Sequence, residues 1–170
     1  GVGLSLALFL WRASRPHAAI VGRVPETEHF RNVKRHKVFT DPRILTVRID
    51  ESLTYLNARW LEEFVLEQVS EHADLRHLIL MCSAINGVDA SALESIEAIN
   101  HRLADGGIRL HLSEVKGPVM DALENSHLLH DLSGKVWLSQ NEAFQSLIRA
   151  SDAEDNAPQS PDIMGPRGMI

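Results

Sequence analysis

The chain is predicted to fold as an α/β domain of order β-β-α-β-α-β-α-β-α, with a mixed, largely parallel sheet flanked by helices. Three observations predict it. After an initial strand pair, short apolar runs alternate with segments of helical period, the pattern of parallel strands joined by crossover helices. Leu75 to Met81 is an apolar run broken only by Arg76 and His77, as in a strand buried on both faces. A length of 170 residues, 44% of them apolar, suits one domain with appendages.

The elements follow in order. Gly1 to Trp11 is apolar and uncharged and runs into Trp11, Arg12 and Arg15, as an aromatic and cationic anchor does at a membrane interface. It is shorter than the about 20 residues a spanning helix needs. It also lacks the basic leader and small-residue cleavage site of a signal peptide. A buried helix is the other reading, and Gly1 with Ser5 matches a short myristoylation pattern. Residues 1–17 are predicted to be the end of a transmembrane helix and a juxtamembrane segment. Ala18 to Val24 reads as a strand closed by Pro25, and Glu26 to Lys37 as a polar connector. Arg43 to Asp50 alternates Ile44, Leu45, Val47 and Ile49 with polar residues, giving a second strand. Ala58 to His72 repeats Trp60, Leu61, Phe64, Val65 and Val69 along one helical face.

Beyond Leu75 to Met81, Asn86–Gly87 signals a turn because both residues tolerate positive φ. Leu93, Ile96, Ile99 and Leu103 then recur at helical spacing until Asp105–Gly106–Gly107 ends the element. Ile108 to Val115 is a further strand. Gly117–Pro118 opens a helix through about Asn125, since Pro suits a first helical position. Lys135 to Leu138 is a short strand and Asn141 to Arg149 the last helix. Ser151 to Ile170 is rich in Pro and Gly and is predicted to be a disordered tail. The folded domain is therefore predicted over residues 18–150.

Charge is unevenly placed. The net charge is −6, yet residues 1–40 hold seven cations against two carboxylates, and the rest hold ten against twenty-one. Basic residues next to an apolar segment follow the positive-inside pattern of a cytoplasmic flank. The acidic remainder speaks against nucleic acid as a partner. A single cysteine, Cys82, at the end of an apolar strand reads as a buried, inert thiol. No P-loop, nucleophile elbow or HExxH helix is present, so an enzymatic reading has little support. His17, His29 and His36 lack regular ligand spacing, and His127–x–x–His130 lacks the third and fourth ligands of a metal site. No metal and no cofactor are expected.

The candidate site is the segment Asn86–Gly87–Val88–Asp89–Ala90–Ser91–Ala92–Leu93 between the apolar strand and the next helix. Asp89 can cap the free N–H groups of the helix start. Ser91 falls in the first turn, where the helix dipole favours a phosphate or a bound anion. A plain reading makes Asp89 a cap and Ser91 an ordinary first-turn residue. Asp89–Ala90–Ser91–Ala92–Leu93 resembles the signature of STAS domains, named for sulfate transporters and anti-sigma-factor antagonists, although the antagonists usually have Gly where this chain has Ala92. The stretch SRPH–x–A–x–VGRVP–x–TEHFRNV–x–RH, from Ser14 to His36, resembles the link between the last membrane helix and the STAS domain of bacterial SulP-family anion transporters. ENS–x–L–x–x–x–L, from Glu124 to Leu132, is similar to the ending of the family's third helix, with His127 where Gly is often found.

The resemblance implies a cytoplasmic regulatory and interaction domain of a transporter of sulfate, bicarbonate or dicarboxylate, located at the cell inner membrane. It implies the transporter's own transmembrane domain as a partner, a homodimer of the full-length protein, and a cytosolic protein partner at the Asp89–Ser91 turn. The alternative it leaves open is a stand-alone, phosphorylatable anti-sigma-factor-antagonist-like switch. STAS domains have been linked to nucleotides, but no nucleotide fingerprint is present here.

Overall fold

The structure is a computed structural model that describes residues 1–157. Helix α1 (Val2–Ala13) leads into strands β1 (Ala18–Arg23), β2 (Phe30–Asn32) and β3 (Ile44–Ile49). Helix α2 (Ala58–Ser70), β4 (His77–Met81), α3 (Ala90–Asp105) and β5 (Arg109–Ser113) follow. Helices α4 (Gly117–Glu124) and α5 (Leu128–Asp131), β6 (Val136–Trp137) and α6 (Gln140–Asp155) complete the described chain. The six strands form one sheet in the order β2-β1-β3-β4-β5-β6. β3, β4, β5 and β6 run parallel, and β1 runs antiparallel to both β2 and β3. The expected strand and helix order is all there. β2 is an addition, because Phe30 turns part of the polar connector into an edge strand by packing against α6. The short α5 is the other addition.

Strand alternation sorts the side chains onto two unlike faces. One face carries Leu45, Val47, Ile49, Leu78, Leu80, Leu110 and Leu112 against α2 through α5, a purely aliphatic layer with Leu61, Val65, Ile96, Ile99 and Leu103 opposite. Each such side chain, fully buried, contributes about 1.5–3 kcal/mol. The other face meets α6 through Ala19, Val21, Ile44 and Ile79. Phe144 of α6 sits edge-on to Phe30 at 5.6 Å and to Phe39 at 6.0 Å. Gly22 of β1 is required where the chain crosses it, since a Cβ there would lie 2.8 Å from the Phe39 carbonyl oxygen.

α1 is helical but buries none of its residues, leaving Leu4, Leu6, Leu8, Phe9 and Trp11 exposed. It makes none of the core contacts a buried helix requires. Twelve residues rising about 1.5 Å each span roughly 18 Å. No helix among the described residues is long and apolar enough to cross a membrane.

The start of the expected tail needs correction: α6 runs to Asp155, so residues 151–155 are helical, while 158–170 lie outside the described residues. The cause is long-range charge. Arg43, at the start of β3, donates to Asp41 and to Asp152 and Asp155 of α6, each at 2.8 Å. Arg76 reaches Asp155 and Glu154 as well. Hydrogen bonding to Arg43 holds the Asp41 carboxyl below its ordinary range, and Arg76 with Arg43 does the same for Asp155. Arg43→Ala would strand the nearly buried Asp41 and release the end of α6. A stability loss of about 3 kcal/mol in urea unfolding is expected, with faster amide exchange over residues 150–155. Unchanged exchange there would show that α6 ends independently of Arg43.

Candidate functional site

At the carboxyl edge of the parallel strands, three loops converge on the start of α3. The chain turns over Cys82 to Ile85, where the Ile85 N–H donates to the Cys82 carbonyl at 3.0 Å. Asn86–Gly87 is therefore not the turn. Neither residue has positive φ, and nothing crowds the Cβ position of Gly87. The segment is instead extended and pairs with the loop after β3: Leu53 N–H donates to Gly87 O at 3.0 Å and Asp89 N–H to Leu53 O at 3.1 Å. That single parallel rung, Leu53 against Val88, fixes where α3 begins.

Asp89 caps the helix as the sequence predicts. Its Oδ1 accepts from Ala92 N–H at 2.9 Å, and its Oδ2 accepts from Tyr55 N–H at 2.8 Å. The second bond is not a cap but a tether between loops. Asn86 Oδ1 accepts from Lys116 Nζ at 2.7 Å, which brings a cation from the loop after β5 to the same edge. Ser91 stands exposed in the first turn, and its hydroxyl has no partner among the described residues. Asp89 and Ser91 share the start of α3, and Asn86 precedes them in the same loop. Tyr55 and Lys116, invisible to local spacing, join them because loops after parallel strands gather at one edge. Burial pushes the Cys82 thiol up to about 12, so it is no nucleophile at neutral pH.

A second polar cluster, unforeseen in the sequence, lies beneath α6. His111 Nδ1 accepts from Lys135 N–H at 3.0 Å and from the Trp137 indole N–H at 3.1 Å. Both groups can only donate, so the His111 proton is on Nε2, and it is given to His77 Nδ1 at 3.1 Å. The His77 proton is then on Nε2, which is buried without a partner among the described residues. Gly134 permits this packing, because a Cβ there would overlap the Leu110 carbonyl oxygen and the His111 ring. Nearby, Gln140 bridges Ser113 at 2.6 Å and Thr46 at 2.9 Å, tying the start of α6 across the sheet. Burial, with His77, Arg109 and Lys135 adding repulsion, lowers His111 to about 4, and burial lowers His77 as well. His127 and His130 sit on or beside α5, and His130 pairs with exposed Asp131 at 2.7 Å. Among the described residues no cluster of three or more His, Cys, Asp or Glu is placed to hold a metal ion.

A mixed sheet covered on both faces, with a capped helix start and an exposed serine at the edge where its parallel strands end, defines the class: a small α/β domain whose candidate site is a loop junction. The chain belongs to the STAS domain family, whose model matches residues 37–143. It is 29% identical over 157 residues to Sulfate transporter 1.3 of Arabidopsis thaliana, covering 85% of this chain and 24% of the transporter. It is 27% identical over 154 residues to High affinity sulfate transporter 2 of Stylosanthes hamata, covering 84% of this chain and 23% of that protein. The chain thus spans about a quarter of the length of these relatives. Its fold is similar to part of the murine Solute Carrier 26 family member A9 anion transporter, over 86% of this chain and 25% of that one, at TM-score 0.73 and 14% identity. The STAS domain of a Vibrio cholerae SulP transporter matches over 71% of this chain and 93% of its own, at TM-score 0.56 and 13% identity.

Two outcomes are expected. Asp89→Ala removes a cap and a loop tether and should cost about 1–2 kcal/mol, read from urea midpoints; a loss below a few tenths would show that neither bond matters. The histidine pair gives a pH window. With a folded pKa near 4 for His111, the unfolded chain takes up a proton below about pH 6.5 that the native state refuses. Stability is full above that pH and should fall by about 3 kcal/mol toward pH 4. His111→Gln should show a shallower slope between pH 6.5 and 4.5. An unchanged slope would assign the effect elsewhere.

Proposed function

We propose that this chain is the cytoplasmic regulatory and interaction domain of a SulP-type secondary transporter of inorganic or small organic anions. The observation that carries this reading is the alignment of 85% of the chain with about a quarter of a sulfate transporter. Helix α1, apolar and without a buried residue directly ahead of β1, supports the same reading as the end of a membrane segment. Sulfate, bicarbonate or a dicarboxylate would pass through a separate membrane domain, since substrate paths in such proteins are lined by intramembrane polar groups. The setting is the cell inner membrane, with this domain on its cytoplasmic side. Its partners are the transporter's own membrane domain, a second copy in a full-length homodimer, and a cytosolic protein at the Asp89–Ser91 edge.

The regulatory position on this reading is Ser91. A hydroxyl at the second helical position, exposed and close to Asp89, has no general base beside it and so suits modification better than catalysis. A phosphate there adds about −1.5 to −2 charges at the positive end of α3. A stand-alone antagonist-like switch would use the same serine, but the transporter relatives and the apolar α1 favour the transporter setting.

Ser91→Glu is expected to change anion uptake by the full-length permease while leaving the melting temperature of this domain within about 2 °C, because exposed substitutions usually stay within about 0.5 kcal/mol. Uptake and partner binding equal to wild type in the folded variant would reduce Ser91 to an ordinary first-turn residue.

A further inference from the structure

The junction between α1 and the sheet holds a cavity of about 370 Å³ that the transporter reading does not use. Two sides meet in it. From the junction come Arg12, Arg15 and His17, and from the folded domain come Glu51, Trp60 and Phe64. Arg15 lies over the Trp11 ring at 5.0 Å, so its guanidinium is held at the level where the apolar helix ends. His17 is fixed by Asp50, whose Oδ2 is 2.8 Å from His17 Nδ1 and whose other oxygen accepts from Arg48 at 2.6 Å. The His17 carbonyl in turn accepts from Asp50 N–H at 2.9 Å. Trp60 and Phe64 stack on one another at 4.9 Å, nearly parallel, and form the wall contributed by α2. Neither belongs to the buried set of that helix, which is Ala58, Leu61 and Val65.

We propose that this cavity seats the headgroup of an anionic phospholipid of the adjacent leaflet, and thereby sets the face that the domain turns toward the membrane. The proposal rests on the reading of α1 as a membrane segment. Two guanidiniums against one carboxylate give the cavity a net positive charge, and Arg forks match phosphate oxygens in pairs. Flat aromatic side chains beside them suit the interface, where one end of a ring is apolar and the other wet. Arg12, in the last turn of α1, lines the cavity, and the exposed leucines of α1 precede it along the helix, so an acyl chain leaving a headgroup bound there has an apolar helix surface within the same element. Charge and apolar surface on the two sides of one cavity fit a lipid, whereas a free anion needs only the charge.

The test is flotation of the 170-residue chain with phosphatidylcholine vesicles, with and without phosphatidylglycerol. Wild type should partition to both and prefer the anionic vesicles. Arg12→Gln with Arg15→Gln should lower partitioning to the anionic vesicles roughly thirtyfold, as expected for two cations at an anionic surface. Trp60→Ala, which leaves the charge unchanged, should lower it about fivefold, and Trp60→Phe should restore it. Arg59→Gln is the control, since Arg59 is 89% exposed, pairs with Glu63 and lies outside the cavity. If Arg59→Gln weakens binding about fivefold, the share of one cation in the double variant, and folded Trp60→Ala binds like wild type, only diffuse charge attracts the domain and the headgroup site is rejected while the membrane reading of α1 stands. If inorganic phosphate at micromolar concentration releases wild type from anionic vesicles, the cavity is a free-anion site and the lipid is rejected. If wild type floats with neither vesicle, the membrane reading of α1 fails and the headgroup site with it.

Discussion

The domain depends on three parallel strands that no solvent can satisfy. β3, β4 and β5 are each paired on both sides, and the alternating residues of each point into two covered layers. Their backbone groups are bonded only if the strands hold register, as Leu45↔Leu78 and Leu78↔Leu110 do. Such strands must be joined by crossovers, and short crossovers bring the loops that follow the strands to one edge and those that precede them to the other. The two edges then acquire different chemistry. At the carboxyl edge, peptide groups left over from the strands are taken up by neighbouring loops, as Leu53 does with Gly87 and Asp89. At the amino edge, Arg43, Arg76 and Arg109 precede or begin the strands and stand as a row of cations.

That row decides where α6 ends. The helix leaves β6 at the carboxyl edge and runs back across the sheet, so its C-terminus, the negative end of its dipole, arrives among those arginines. Asp152, Glu154 and Asp155 add side-chain charge at the same place. Interactions this exposed are individually small, but Arg43 is largely buried and shared among three carboxylates, which makes it the firm member of the set. α6 is thus held at its start by the Gln140 bridge, in its middle by Phe144 and at its end by Arg43.

What the sequence could disclose followed from how local each signal is. The strands and helices of the aliphatic layer were legible because Leu, Ile and Val recur at periods of two and near 3.6. Asp89 was legible as a cap because capping acts over three residues. The tether from Tyr55 and the Lys116 contact span 34 and 30 residues, and no spacing rule announces them. The end of α6 is hidden in the sequence for the same reason, since Ser–Asp–Ala–Glu–Asp is a solvated tail by composition until Arg43, over a hundred residues earlier, arrives beside it. Asn86–Gly87 misled in the opposite direction. It carries a strong turn signal, but pairing with Leu53 holds it extended and shifts the turn to Cys82–Ile85. His77 read as an interruption in an apolar strand, yet it and His111 form a buried pair whose register partners are Ile44 and Ile79.

The register also relates the two functional edges to one another. β1 is antiparallel to β3, with Ala18 opposite Ile49, so the chain enters the sheet at the carboxyl edge, beside the loop that carries Glu51 and Leu53. Glu51 lines the junction cavity, and Leu53, two residues on, holds the peptide groups that fix the start of α3. The proposed regulatory serine and the proposed membrane-facing junction are therefore joined by a single short loop rather than by the body of the sheet. Close-packed protein interiors do not absorb a displacement continuously. If Ser91 is the regulatory serine, a charge added there would act first on its neighbour Asp89, which bonds Tyr55 and Leu53 of the loop that begins at the junction. On the proposed reading, this domain passes a signal along its edge while the parallel strands beneath stay fixed.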